Sequence, residues 1–240
     1  MSTSTNSMRL FAIGDLHLPG GQDKPMDVFG IQWRDHVTRL REAWHSVVHS
    51  DDWVLVPGDI SWAMRLEDVL PDLAYLGDLP GHIVLLRGNH DYWWQGIGKV
   101  RQLLPSNVQA IQNDCVLLPD ATAVCGARGW DLPSKEGVSA HDIRIYEREL
   151  QRLRFSLEHG RRSGARRLVA MMHFPPAESG AMPTGFTEIL EEYGVALCVY
   201  GHLHGEPGRR ALQGCYRGVF YQLVAADALG FRPWLVDSVC

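Results

Sequence analysis

The stretch Ile83-Val84-Leu85-Leu86-Arg87-Gly88-Asn89-His90-Asp91 decides how this chain is read. Four apolar residues make a run of buried-strand length. The turn at Gly88 then delivers an amide, an imidazole and a carboxylate in succession. The same grammar recurs on both sides. Residues 9–13 run into Asp15-Leu16-His17, and residues 53–56 into Pro57-Gly58-Asp59. Residues 168–172 run into His173, and residues 196–200 into Gly201-His202-Leu203-His204. In an open α/β sheet the carboxyl ends of the strands gather loops from distant parts of a sequence, so polar residues from Asp15 to His204 can meet there.

Helical patterns separate these strands. Between residues 33 and 48, Trp33, Val37, Leu40, Trp44, Val47 and Val48 recur at helical spacing. Further helices are predicted over 65–76, 97–104, 141–159 and 187–193. The middle differs: residues 108–112, 115–118 and 121–125 read as short strands joined by turns at Asn113-Asp114 and Pro119-Asp120, which predicts antiparallel pairing. Residues 219–224 and 234–236 read as closing strands. The alternation predicts an α/β fold of mixed sheets covered by helices, with parallel βαβ units at both ends. Residues 19–30 are too rich in Gly and Pro for regular structure, and their place just after His17 suits a lid or substrate collar. No repeat or linker divides the chain, so residues 8–240 read as one domain behind a flexible tail at 1–7.

Composition narrows the function. An apolar share of 45% and a charged share of 21% exclude a disordered chain. No apolar run approaches the ~18 residues of a membrane-spanning helix, and the polar start lacks a secretory pattern. Five cysteines with no CxxC pair predict free thiols and a cytoplasmic location. A net charge of −5 argues against wholesale electrostatic binding of nucleic acid, which stays a less favoured partner. No protein partner is evident.

Imidazole, carboxylate and amide oxygen suit manganese, iron or zinc, and no neighbouring thiolate argues for a structural zinc site. Asp15, His17, Asp59, Asn89, His173, His202 and His204 are too many ligands for one tetrahedral ion. They suit two ions sharing a carboxylate, ~3.5–4 Å apart, which can clamp the oxygens of a phosphoryl group. The ordered blocks D-x-H, G-D, G-N-H-D, H and G-H-x-H, spread over residues 9–204, resemble the calcineurin-like metallophosphoesterase superfamily. The resemblance implies two packed mixed β-sheets flanked by helices, a four-layer sandwich with the metals at one edge. It implies one divalent ion on Asp15, His17 and His204, a second on Asn89, His173 and His202, and Asp59 bridging them. It makes His90 the residue that contacts phosphate and protonates the leaving oxygen, while a hydroxide held by the ions attacks in line. One departure matters. The protein Ser/Thr phosphatase branch carries G-D-x-x-D-R-G, where this chain has Gly58-Asp59-Ile60-Ser61-Trp62. The acid that would orient the catalytic histidine is missing there, with Asp91 as the candidate substitute. Asp91 in place of Glu also leans toward the phosphodiesterase-like branches.

Other residues carry competing readings. Trp62, Tyr92, Trp93 and Trp94 crowd the motif loops; packing competes with a pocket wall that would stack a planar group and so favour nucleotide-like substrates. His36, His45, His49, His82, His141 and His159 read as ordinary polar residues. Arg144, Arg148 and Arg152 read as a solvated helix face paired with Glu147, Glu149 and Glu158, while Arg87 and Arg128 are nearer neighbours for a phosphate. The expected function is a di-metal phosphohydrolase of a small-molecule phosphodiester or nucleotide-like substrate. A phosphomonoesterase acting on a small molecule or a protein, a repair-type nuclease and a non-catalytic scaffold are the alternatives. The complete set of ligand-type residues speaks against the scaffold.

Overall fold

The apolar runs become eleven strands in a computed structural model that describes residues 8–21, 26–178 and 183–237. They are β1 (Leu10–Ala12), β2 (Trp53–Pro57), β3 (His82–Leu86), β4 (Val108–Ala110), β5 (Val116–Leu117) and β6 (Thr122–Ala127). They continue as β7 (Arg167–Met172), β8 (Leu197–Tyr200), β9 (Gly214–Tyr216), β10 (Val219–Leu223) and β11 (Trp234–Leu235). The helices are α1 (His36–Val47), α2 (Leu70–Gly77), α3 (Ile97–Leu103), α4 (Ala140–Arg162), α5 (Gly185–Glu192) and the short α6 (Gly205–Arg209). One sheet has the order β11-β1-β2-β3-β4, and the other β5-β6-β7-β8-β10-β9. In the first, β1 to β4 run parallel and β11 is antiparallel. In the second, β6, β7, β8 and β10 run parallel between antiparallel edges. These are the two mixed sheets flanked by helices that the sequence leads one to expect.

Side-chain alternation along each strand sorts the layers. Leu55, Val84, Val169, Met171, Leu197 and Val199 point between the sheets into a shared apolar layer. Their neighbours Val54, Val56, Ile83 and Leu85 face outward against Leu40 and Trp44 of α1, Leu73 and Leu76 of α2, and Val100 of α3. On the far side, Ala170, Met172, Cys198 and Tyr200 meet Leu153 and Leu157 of α4 and Phe186 and Leu190 of α5. Because both faces of each sheet are covered, the strands read as continuous apolar runs rather than as alternating ones. α4 begins at a capping box, with Ser139 accepting from the Asp142 amide at 3.2 Å and Asp142 accepting from the Ser139 amide at 3.0 Å.

Three expectations are corrected. The helix predicted over 65–76 starts only at Leu70. Pro71 has no N–H to donate and is tolerated only in a first turn, so it sets the start. Of the three middle strands, only β5 and β6 pair antiparallel; β4 joins β3 in parallel register, Leu85 opposite Ala110, in the other sheet. The chain changes sheets at Asn113, whose φ of 67 reverses it, and at Asp114, which accepts from the Gln112 amide at 2.8 Å. Residues 26–33 also form two single 3-10 turns, Met26–Phe29 and Ile31–Trp33, within and just beyond the loop expected to lack regular structure. Residues 22–25 and the expected tail at 1–7 lie outside the described residues.

Candidate metal centre

Each candidate ligand follows the carboxyl end of a parallel strand. Asp15 and His17 follow β1, Asp59 follows β2, Asn89 and His90 follow β3, His173 follows β7, and His202 and His204 follow β8. The two sheets are tied together at this edge. Gly14 donates to Val224 O at 2.7 Å and accepts from Ala226 N at 3.0 Å, so the loops after β1 and β10 lie side by side. The resulting order brings residues from Asp15 to His204 into one cluster.

The backbone there is held in an uncommon shape. Asp15, His17, Asp59 and His202 have φ of 54, 46, 52 and 72, the left-handed region that non-glycine residues seldom occupy. Strain of this kind persists only where the surroundings over-determine it. They do: Asp15 N donates to Gly58 O at 2.9 Å and His17 N to Asp59 O at 3.0 Å. Two glycines let the carboxylates in. A Cβ at Gly88 would overlap Asp59 Oδ1, and one at Gly201 would overlap Asp15 Oδ2.

The side chains converge. Ligand atoms of Asp15, His17 and His204 all lie within 4.8 Å of one another, as do those of Asp15, Asp59 and His173. Asn89 Oδ1 lies 2.5 Å from His173 Nε2 and 3.0 Å from His202 Nδ1. Asp59 stands between the two groups, 3.8 Å from His17 Nε2 through one oxygen and 3.5 Å from His173 Nε2 through the other. His173 donates from Nδ1 to Pro57 O at 3.0 Å, which fixes its tautomer. Burial pushes its pKa well below the ordinary value, so the ring is neutral. Its Nε2 lone pair therefore faces the acceptor oxygens of Asn89 and Asp59. Acceptors converging on acceptors in a buried space are what a cation site requires, and this donor set fits divalent ions. Burial, then the negative charges of Asp15 and Asp91, push the Asp59 carboxyl up to about 9. Burial takes His17 down to about 3. Against burial, Asp15 and Asp227 raise His204 to about 10.

Asp227 is the residue that sequence reasoning missed. Its Oδ1 lies 2.7 Å from His204 Nδ1, turning Nε2 toward Asp15 Oδ1 at 3.5 Å. It follows β10, and its position one loop beyond a closing strand is the only signal the sequence offers. His36, read as an ordinary polar residue, is buried, and its Nε2 donates to His17 O at 3.2 Å.

His90 opens onto the same cavity, about 390 Å³, together with His17, Asp59, His202 and His204. Its amide donates to Asp59 Oδ1 at 2.8 Å. Asp91, the candidate to orient it, is engaged by four N–H donors of the loops after β2 and β3. The Asp91 carboxylate accepts from Ile60 N, Ser61 N, Gly88 N and Trp93 Nε1 at 2.9, 3.2, 2.7 and 3.0 Å. It fastens the loop after β2 to the loop after β3. The aromatics divide. Trp62 lines the cavity, stacked on His17 with centroids 4.8 Å apart, and exposed Tyr92 stands edge-on to His90 at 6.1 Å. Trp93 and Trp94 are only 1% and 3% exposed and pack into the core under the first sheet, so the expectation that they touch substrate is corrected. Met26 and Phe29, from the 19–30 loop, take that place in the wall.

The arginine-rich helix face is also corrected in part. Glu158 pairs with Arg161 and Arg162 on the surface, but Glu149 is fully buried beside Arg128, Arg148 and Arg152. Cys115, Cys125 and Cys198 are free, whereas Cys215 is disulfide-bonded, against the expectation of free thiols throughout. No described helix is long and apolar enough to cross a membrane.

Comparison with known proteins agrees with this geometry. The family of calcineurin-like phosphoesterases matches residues 8–206. The Gene 66 protein of Mycobacterium phage L5 is 35% identical over 79 residues, 32% of this chain, and the match spans only 37% of that protein. Among solved structures, the phosphopantetheinyl hydrolase PptH from Mycobacterium tuberculosis is similar, with a TM-score of 0.53 and 15% identity over 90% of this chain and 88% of that one. TT1561 of Thermus thermophilus has a TM-score of 0.53 and 11% identity, again over 90% of this chain and 88% of that one. AQ665 from Aquifex aeolicus, of unknown function, has a TM-score of 0.50 and 13% identity over 95% of each chain. At such identities these structures speak for the fold alone. The family match runs from the first strand past His204 and takes in every strand-end block, so the chain belongs to the calcineurin-like phosphoesterase family.

Proposed function

We propose that this chain is a metal-dependent phosphoric ester hydrolase that holds two divalent cations and cleaves a phosphodiester, with a nucleotide-like substrate as the best fit. Asp15, His17 and His204 would hold one ion, Asn89, His173 and His202 the other, and Asp59 would bridge them, each through the contacts described above. When bound, the ions activate a water and offset phosphoryl charge; oxygen and nitrogen donors suit manganese, iron or zinc. His90, on the floor of the cavity, is placed to give a proton to the leaving oxygen.

The observation that carries the diester reading is a pair of cavities. The first, about 390 Å³, has Met26, Phe29, Trp33 and Trp62 as walls. The second, about 460 Å³, is walled by Trp130, Phe174 and Leu203, and the two meet at His202. A diester carries a group on each side of phosphorus, and a monoester on one side only. The ring of Phe29 lies parallel to that of Trp62, 8° apart in plane with centroids 6.4 Å apart, which supports a planar group in the first cavity. A cytoplasmic location belongs to the same proposal: the free thiols of Cys115, Cys125 and Cys198 support it, and the disulfide at Cys215 weighs against it.

The test is turnover by the manganese-loaded chain of bis(p-nitrophenyl) phosphate, p-nitrophenyl phosphate and a nucleotide p-nitrophenyl ester. Both diesters are expected to exceed the monoester in kcat/KM. Phe29→Ala should lower kcat/KM for the nucleotide ester by about tenfold, the order of a lost stacking contact, and change the aryl diester little. A preference for the monoester would overturn the diester reading, and equal losses in the Phe29 variant would remove the planar group.

A further inference from the structure

A third cavity lies where β3 and β4 approach β6, closed on one side by α4. It is about 200 Å³ and is lined by Arg87, Arg128, Arg148 and Arg152 around Glu149, with Gln112 beside them. It shares no lining residue with the metal-side cavity among the described residues. Four guanidinium groups face one carboxylate, an excess of three positive charges. Ion-pair networks that only hold a fold together tend to balance their charges. This one crowds like charges, and Arg128 is opposed by Arg87, Arg148 and Arg152 as well as attracted by Glu149.

The single carboxylate is also badly shared. Arg152, Arg128 and Arg148 all address the same oxygen, Glu149 Oε1, at 2.7, 3.9 and 4.0 Å. The other oxygen, Oε2, is buried and has no hydrogen-bond partner. Arg87 Nε and Arg128 Nε are likewise buried without an acceptor. Buried polar atoms of this kind are rare in finished networks and call for a missing partner. The two guanidinium N–H groups need a partner that accepts hydrogen bonds and carries negative charge, which excludes a metal ion, while Oε2 needs a donor; a hydrogen phosphate, with its P–OH, supplies both. The volume is below that of ordinary small-molecule pockets, which excludes a nucleoside. Planar guanidinium forks match the oxygens of a tetrahedral oxyanion.

We infer that this cavity is a second anion site, separate from the metal centre, which takes one phosphate-type group. Its position gives it a consequence. Arg87 directly precedes Gly88-Asn89, and the Arg128 carbonyl accepts from the amides of His173 and Phe174 at 3.0 and 2.9 Å. An anion bridging Arg87 and Arg128 braces the two segments that present Asn89 and His173. The occupant is either free phosphate or a second phosphoryl group on a substrate.

Calorimetric titration of the manganese-loaded full chain with inorganic phosphate tests this. Two phosphate sites per chain are expected. The double variant Arg148→Gln/Arg152→Gln, whose side chains are 54% and 35% exposed and whose loss the fold can bear, should weaken one site at least about tenfold and leave the other. Glu149→Gln should tighten that same site on the order of tenfold by removing a nearby negative charge, a gain that a purely structural network would not produce. ADP separates the sources: competition at both sites together identifies a second phosphoryl group of the substrate, and competition at the metal site alone identifies free phosphate. One phosphate per chain in the wild type, or unchanged binding in the double variant, would overturn the inference. Because the readout is binding rather than turnover, failure here leaves the diester proposal standing.

Discussion

Replacing Asp91 by Asn tests whether the loops that carry Asp59 and Asn89 depend on one buried charge. All four of its partners are N–H donors: Ile60 N, Ser61 N and Trp93 Nε1 on Oδ1, and Gly88 N on Oδ2. Burial pushes the carboxyl up and these donors pull it back. A protonated Asp91 would find no acceptor among them, so the ionised form is the one the geometry serves. In the variant, three bonds lose their charge assistance, about 0.5–1 kcal/mol each, and the Gly88 N–H meets an amide N–H instead of an oxygen, a further loss of about 1–3 kcal/mol. Relief of a buried charge returns a small part of that. The net expectation is about 3 kcal/mol of stability, or a fall in Tm of roughly 6–12 °C for a chain of this size. Urea and thermal unfolding of the full chain near neutral pH, followed by tryptophan fluorescence, would measure it. Manganese affinity should fall in parallel, because Gly88 and Ile60 flank Asn89 and Asp59. A variant within about 0.5 kcal/mol of wild type would refute the reasoning, since the four donors would then have no need of a charge.

Three further outcomes are expected. Asp52 accepts from the Arg9 amide and Nε at 3.1 Å each and from the His49 amide at 2.8 Å, so Asp52→Asn should lose about 2–3 kcal/mol in denaturant unfolding. Although burial opposes them, these donors hold the carboxyl below its ordinary range, so its stabilisation is present above about pH 4 and disappears as pH falls through the lowered value; the gap between wild type and variant should close on acidification, and a gap independent of pH would contradict this. Gly201→Ala places a Cβ on Asp15 Oδ2 and should reduce manganese binding by about a hundredfold or more in a calorimetric titration, with wild-type binding as the refuting result. Hydrogen bonds from the Cys125 thiol and His159, 3.3 Å from the sulfur, draw the Cys115 thiol down to about 6, while burial pushes Cys198 up. Iodoacetamide at neutral pH should therefore label Cys115 first in a peptide mass map, and equal labelling of Cys198 would refute the assignment.

The cluster was legible because its signal is local. A short apolar run followed by Gly88-Asn89-His90, or by Gly201-His202-Leu203-His204, marks a strand and the polar group at its end without reference to any other part of the chain. Parallel sheets then align those ends, and convergence follows from topology. What stayed hidden depends on direction and partner. Trp62 and Trp93 both sit in motif loops, yet one walls the cavity and the other is buried beneath Asp91. Their orientation is set by tertiary partners, Trp93 by the buried Asp91 carboxylate and Trp62 by the His17 ring, which no run of apolar residues encodes. The same holds for β4: its apolar pattern suits an antiparallel neighbour or a parallel one, and only the reversal at Asn113 sends it to the other sheet. Glu149 reads as a helix-face partner of Arg152 by spacing, but α4 lies with that face against β6, where Arg128 arrives from the strand end and Arg87 from the opposite sheet. Asp227 is hidden for the same reason, since it matters only once the bridge between Gly14 and Ala225 has set β10 beside β1. Residues that hold a centre from behind are recruited by tertiary contact. A motif identifies what touches the ion, and the packed sheets select what steadies it.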